Sequence, residues 1–280
     1  MLSLTTTIKK ILLPFCCMIF FIGKIHAGTV DTVLINSTSM HKIIKAVVIK
    51  PNSYNQKKKI FPVVYLLHGY GGTYSNWIIR VPALKNYADD NQTIIVCPDG
   101  NIGSWYFDSP IDSNYRYETH ITVELIQFID SHYRTIADKK GRAITGLSMG
   151  GHGALYLAMK HPNIFGAAGS ISGGVDLGQS KSKFEIMQRI GDTIINAANW
   201  HDMTVINLIE QYTNTPVKII FDCGNKDIFI EGNRHLHQKM NSLGIPHSYT
   251  ERPGEHNWDY WKNSIPYQLL YFKRFFYPEK

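Results

Sequence analysis

The sequence predicts an α/β fold in which a mostly parallel central sheet is covered by helices on both faces. Two observations carry that prediction. Short, nearly continuous apolar runs recur at 61–67, 93–97, 142–146 and 217–221, and helix-length segments lie between them. Continuous runs suit strands buried on both faces, and strands alternating with helices feed a parallel sheet.

At the N-terminus, Lys9 and Lys10 precede an apolar run over 11–22, and Ile25-His26-Ala27 ends in a small residue. That is the pattern of a secretory signal peptide over 1–27, which puts the mature protein at 28–280 and its location outside the cytoplasm, secreted or periplasmic. The run is shorter than the roughly 20 residues that span a bilayer, so no stable membrane anchor is expected after processing. Phe15 and Cys16 stand where a lipoprotein would carry small residues before Cys16 or Cys17. Loss of 1–27 removes three lysines and no acid, and the formal charge falls from +7 to +4. The densest basic run, Lys57-Lys58-Lys59, reads as a solvated turn before a strand, and no nucleic-acid partner is expected. Cys97 and Cys223 end separate strands that are not neighbours in this architecture, so two buried free thiols are expected.

Within 28–280 the β-branched stretches 30–35 and 43–49, broken by Asn36-Ser37-Thr38-Ser39, form an antiparallel pair. The four central runs follow. Ile121, Leu125, Phe128 and Ile129 recur at helical spacing, and an Ala/Leu/Met-rich helix over 151–160 stops at His161-Pro162. The stretch 175–215 has no strong strand and helix-like pieces near 184–195 and 204–212, which predicts a small cap beside the site. A last strand over 246–251 leads through a glycine-containing loop into an aromatic helix. No linker divides the chain, so one domain is expected.

Gly146-Leu147-Ser148-Met149-Gly150 places Gly-x-Ser-x-Gly between a strand and a helix. A turn this sharp needs flanking residues without side chains, and it leaves the serine Oγ projecting above the sheet as a nucleophile. The Met149 amide then opens a helix and can face a developing oxyanion. A second donor is needed there, and His68-Gly69-Tyr70-Gly71-Gly72 follows the first central strand, which nominates the Tyr70 amide. No Gly-Lys-Ser/Thr follows that loop, which argues against a phosphate cradle.

The chain order Ser, acid, His selects a base after the last strand, in Pro253-Gly254-Glu255-His256-Asn257-Trp258. His256 is therefore the predicted base. His68 and His152 flank the glycine-rich elements and are expected to buttress the site. His235 and His237 are expected to be solvated on a helix, and His161 to sit at a helix C-terminus. For the acid, the loop after 217–221 offers Asp222, Asp227 and Glu231. Gly224 lets the chain turn so that Asp227 folds back towards His256, whereas Asp222 still belongs to the strand. Trp105, Tyr106 and Asp108 follow a strand's carboxyl end, where ligands gather in such sheets, and are expected to contact substrate. Trp258 and Trp261 are read as core-facing.

These motifs together resemble the esterase D and feruloyl esterase family, which includes acetyl-xylan esterases, S-formylglutathione hydrolases and mycobacterial mycolyltransferases. The resemblance rests on 61–72, Gly103-Ser-Trp-Tyr, 146–154, His161-Pro162 with Phe165, Gly224 with Asp227, and Gly254-Glu-His-Asn-Trp with Trp261. It implies an α/β-hydrolase fold, with nucleophile, acid and base at Ser148, Asp227 and His256 and oxyanion amides at Tyr70 and Met149. Two departures are Glu255, where many relatives have glycine, and the large side chain of Tyr70. The first sets a carboxylate beside the base.

The expected activity is carboxylic-ester hydrolysis through an acyl-enzyme, with no metal and no organic cofactor. The histidines and cysteines lack metal-ligand spacing. The predicted export and the resemblance point to acetyl or feruloyl-type groups on an acylated polysaccharide. Two alternatives stay open: acyl transfer to a sugar hydroxyl, and a non-catalytic carbohydrate-binding protein on the same fold. Acyl and alcohol specificity, self-association and the role of Glu255 are not legible.

Overall fold

The computed structural model describes residues 28–212 and 216–279, so the predicted signal peptide lies outside the described residues. Among the described residues eight strands form a single sheet: β1 Thr29–Ser37, β2 Lys42–Lys50, β3 Val63–Leu67, β4 Ile94–Pro98, β5 Arg142–Gly146, β6 Ala167–Ile171, β7 Lys218–Gly224 and β8 His247–Arg252. Their order is β1-β2-β4-β3-β5-β6-β7-β8. The first two strands pair antiparallel, β2 lies antiparallel on β4, and every later pairing is parallel. The predicted α/β-hydrolase fold is therefore observed, with its antiparallel opening pair.

Side chains alternate across the pleat, so each central strand feeds two cores. Val63, Tyr65 and Leu67 of β3 join a cluster covered by helix Met149–Lys160, the helical stretch 117–132 and helix Ile230–Ser242. Val64 and Leu66 join a second cluster covered by helix Asn76–Arg80, helix Leu84–Asp90 and helix Trp258–Phe276. Both faces are thereby buried, as continuous apolar runs require.

Three sequence expectations change. The strand β6 was not expected, because Ala-Ala-Gly-Ser-Ile lacks the branched bulk that marks a strand. The region expected as a cap is short helices, Ile186–Ile190, Ala197–Met203 and Val205–Leu208, whose Ile186, Ile190, Trp200, Val205 and Leu208 belong to the first core. It is thus packed into the domain, and residues 213–215 of it lie outside the described residues. His235 is exposed as expected, but His237 stacks on Tyr249 at 4.6 Å and meets His247 at 2.8 Å. Cys97 and Cys223 are buried free thiols, on β4 and β7, with three strands between them.

Candidate active site

Four loops at the carboxyl ends of the parallel strands converge here. The first is the β5 turn. Ser148 has φ 54° and ψ −117°, a left-handed conformation that non-glycine residues rarely hold. Its amide donates to the Ile171 carbonyl at 2.9 Å and its carbonyl accepts from His152 at 3.0 Å, so β6 and the first helical turn clamp it. A methyl at Gly150 would lie 2.5 Å from the His68 carbonyl oxygen, which is why that position carries no side chain. The bend brings the nucleophile helix against the end of β3.

The acid and base come from the loops after β7 and β8. His256 Nε2 is 2.9 Å from Ser148 Oγ, and His256 Nδ1 is 2.9 Å from each Asp227 oxygen. Asp227 is buried, and its Oδ1 also accepts the Phe229 amide at 2.8 Å, which fixes the carboxylate. With Nδ1–H donating to a carboxylate, Nε2 keeps the lone pair that accepts the serine proton. Asp222 does belong to β7, and it is spent elsewhere. It accepts from the Tyr260 hydroxyl and the Gln268 amide at 2.9 Å each, accepts from Ser264 and faces Arg252 at 3.3 Å. Burial pushes its carboxyl above the usual range against those four partners. This network ties the last helix to β7 and β8, and so sets the two loops that meet at the base.

The fourth loop, after β3, brings the predicted Tyr70 amide beside that of Met149. Met149 opens its helix, so its N–H has no acceptor within the helix. No described carbonyl accepts the Tyr70 N–H. A methyl at Gly69 would fall 3.2 Å from Ser148 Cβ, so this loop crosses directly over the nucleophile. The loop is held from outside, because Gly71 N–H donates to the Ile102 carbonyl at 2.8 Å and His68 Nε2 accepts the Gly100 N–H at 2.7 Å. His68 therefore buttresses as expected, and burial pulls its pKa down. His152 is buried between Trp105, Phe107 and Tyr156, the packing role predicted for it.

The predicted substrate residues are not at the mouth. Trp105 and Tyr106 are 1% and 0% exposed, so neither reaches a ligand. The Trp105 indole N–H donates to the Phe184 carbonyl at 2.9 Å, and the Tyr106 hydroxyl donates to the His68 carbonyl at 3.1 Å. Tyr106 thereby props the oxyanion loop from beneath, and Trp105 holds the segment at Phe184. The strand-end rule placed the loop correctly, but successive left-handed residues, φ 55° and 61°, turn both rings inward. Asp108 instead receives the Thr119 amide at 2.9 Å and pairs with Arg116 at 3.1 Å, capping the helical stretch that starts at Tyr117.

The cavity of about 330 Å³ over Ser148 is lined instead by Phe184, Trp258, Trp261, Asn76 and Arg80, besides Ser148, His256, Leu147 and the glycine loop. Trp258 and Trp261 do join the second core, as expected, but the same rings also wall the cavity, and Trp261 packs edge-on against His256 at 5.0 Å. Their place next to the base in sequence was the signal that could have found them. Phe184, Asn76 and Arg80 had no sequence signal. Glu255 is exposed on the base loop and lines a neighbouring surface cavity of about 490 Å³.

Comparison with known proteins gives one consistent result. The family described as "Putative esterase" matches residues 37–272. An esterase of Mycobacterium tuberculosis is 28% identical over 235 residues, 75% of this chain and 51% of the relative, so the chain spans about half the length of that relative. An acetyl esterase of Caldicellulosiruptor saccharolyticus is 28% identical over 232 residues, 77% of this chain and 86% of that protein. Among solved structures, a ferulic acid esterase superposes with a TM-score of 0.77 at 28% identity, covering 89% of this chain and 99% of the other.

Proposed function

The chain belongs to that esterase family, and from this premise we propose that it is a serine esterase in which Ser148, His256 and Asp227 hydrolyse acetyl or feruloyl-type esters of carbohydrate through an acyl-enzyme. Ser148 Oγ attacks the ester carbonyl while His256 Nε2 takes its proton. The negative oxygen forms between the Tyr70 and Met149 amides, in a site already arranged for it. His256 then returns the proton to the departing alcohol, and water repeats the sequence to free the acid. Asp227 keeps Nδ1–H pointed away from the serine and stabilises the imidazolium.

The observation that carries this reading is the unbroken relay from Ser148 through His256 to Asp227, every link at 2.9 Å. The acyl preference is supported by the relatives named as acetyl and ferulic acid esterases and by the aromatic walls of the cavity. Ser148→Ala is expected to cut nitrophenyl acetate turnover by about 10⁴-fold or more. Equal rates in both proteins would remove Ser148 from the chemistry. Run with methyl ferulate or acetylated xylan and an added sugar, the same assay separates hydrolysis from transfer, since acylated sugar in excess of free acid would mean transfer.

Export is part of the proposal and rests on the leader-like sequence over 1–27. N-terminal sequencing of protein made in a bacterial host should start near Gly28, and an intact Met1 or Leu2 start would refute it.

A further inference from the structure

Resting on the esterase reading of the same cavity, we propose that Asn76 and Arg80 form a subsite for a carboxylate carried by the substrate. The two residues are four apart on helix Asn76–Arg80, so they lie one turn apart on one face, and both line the cavity above Ser148. The helix is pinned by Trp77, which is fully buried, donates its indole N–H to the Leu67 carbonyl at 2.9 Å and packs edge-on against Trp258 at 5.3 Å. The subsite is thus fixed to the end of β3, the strand that also carries the oxyanion loop.

The polar groups left over on this side are donors. Arg80 is exposed and has no hydrogen-bond or ion-pair partner among the described residues. Asn76 Oδ1 is occupied by the Thr73 amide, which leaves its side-chain NH₂ to donate. The indole nitrogen of Trp261, another lining residue, is buried without a partner. No Asp or Glu lines the cavity among the described residues, and the nearby Glu185 is committed to Arg189 at 2.9 Å. A planar guanidinium matches a carboxylate in two parallel hydrogen bonds. A neutral substrate filling this space would dehydrate Arg80 and leave it unpaired, at a cost.

The carboxylate can belong to the acyl part, as in a half-ester of a dicarboxylic acid, or to the alcohol part, as in an acetylated uronic acid. Two assay arms separate these sources. The first compares kcat/KM for mono-nitrophenyl succinate and nitrophenyl acetate, and the second compares acetyl release from acetylated glucuronic acid and acetylated glucose. In one arm the wild type should favour the anionic ester, and Arg80→Ala should lower the anionic-to-neutral ratio about tenfold, through KM more than kcat. Arg80→Lys should restore part of the ratio, and added salt should weaken it. A ratio unchanged by Arg80→Ala in both arms overturns the subsite.

Failure of the esterase reading shows differently, as no turnover of any of the four esters by the wild type. Binding then still decides the subsite. With Ser148→Ala as background, succinate and glucuronate affinities are read from tryptophan fluorescence. A tenfold loss on adding Arg80→Ala upholds the subsite, and equal affinities overturn it.

Discussion

Ser148 holds a backbone conformation that costs about 1–3 kcal/mol in an unconstrained chain, and what keeps it there is the Ile171 carbonyl on one side and the His152 amide on the other. The strain places Oγ within reach of His256. Asp227 acts one bond further out, and its effect is separable from the fold because the loop is also held by the Asp227 amide on the Gly224 carbonyl at 3.0 Å. Asp227→Asn is therefore expected to reduce kcat by about 10³- to 10⁴-fold, since an amide NH₂ facing Nδ1 favours the wrong imidazole tautomer. The melting temperature should move by only a few degrees. Steady-state kinetics beside a thermal melt tests both halves, and a rate loss below tenfold would take the acid's role away from Asp227. The same scale shows where sequence reasoning ends. Gly146, Ser148 and Gly150 announce themselves by spacing, whereas the inward turn of Trp105 and Tyr106 depends on two left-handed residues that no side-chain pattern marks.

Among the elements, β6 is the one whose logic is invisible locally. Its small residues are demanded by the last helix, because Gln268 is fully buried against it and donates to the Ser170 carbonyl and to Asp222 at 2.9 Å each. A methyl at Gly169 would sit 2.3 Å from Gln268 Oε1 and 2.8 Å from Thr145 Oγ1. Gly169→Val should lower stability by about 2–4 kcal/mol, combining overpacking with broken buried hydrogen bonds. A urea midpoint equal to wild type would show that this contact is not what keeps β6 small. A second tie joins the helical stretch at Tyr117–Thr119 to the C-terminal end of the nucleophile helix. There Glu118 accepts from Tyr156 and from His161 at 2.8 Å each and from Lys160 at 3.1 Å. His161 does cap its helix as the sequence suggested, and its ring bonds a carboxylate as well.

For the whole molecule these buried groups set the response to acid. Burial holds the His152 imidazole down to about 3, against the pull of the Met203 carbonyl and from an ordinary value of 6.5. The unfolded chain takes up a proton below 6.5 that the folded one refuses, so this contribution is complete above 6.5 and is lost as the pH falls towards 3, at up to roughly 1.4 kcal/mol per pH unit. Burial alone would raise Glu118, but the hydrogen bond from His161, the charge of Lys160 and the Tyr156 hydroxyl outweigh it and hold its carboxyl at about 2, below the ordinary 4.5. Its contribution is present above 4.5 and is lost as the pH falls from there to 2. Stability should therefore decline below pH 6.5 and more steeply below 4.5. Urea titrations across pH 7 to 4 should show His152→Phe flattening the upper part of that decline, and parallel curves would contradict it.

The alternation of apolar runs and helical segments determined the sheet apart from β6, and ordered motifs determined the nucleophile turn, the base loop and the acid, because each depends on backbone geometry that glycine and chain order write locally. Tertiary structure alone decided which aromatic rings face the cavity, why Asp222 is structural and what Arg80 stands beside. Those outcomes depend on packing between segments far apart in the chain, and no local pattern encodes which face of a loop another element will cover.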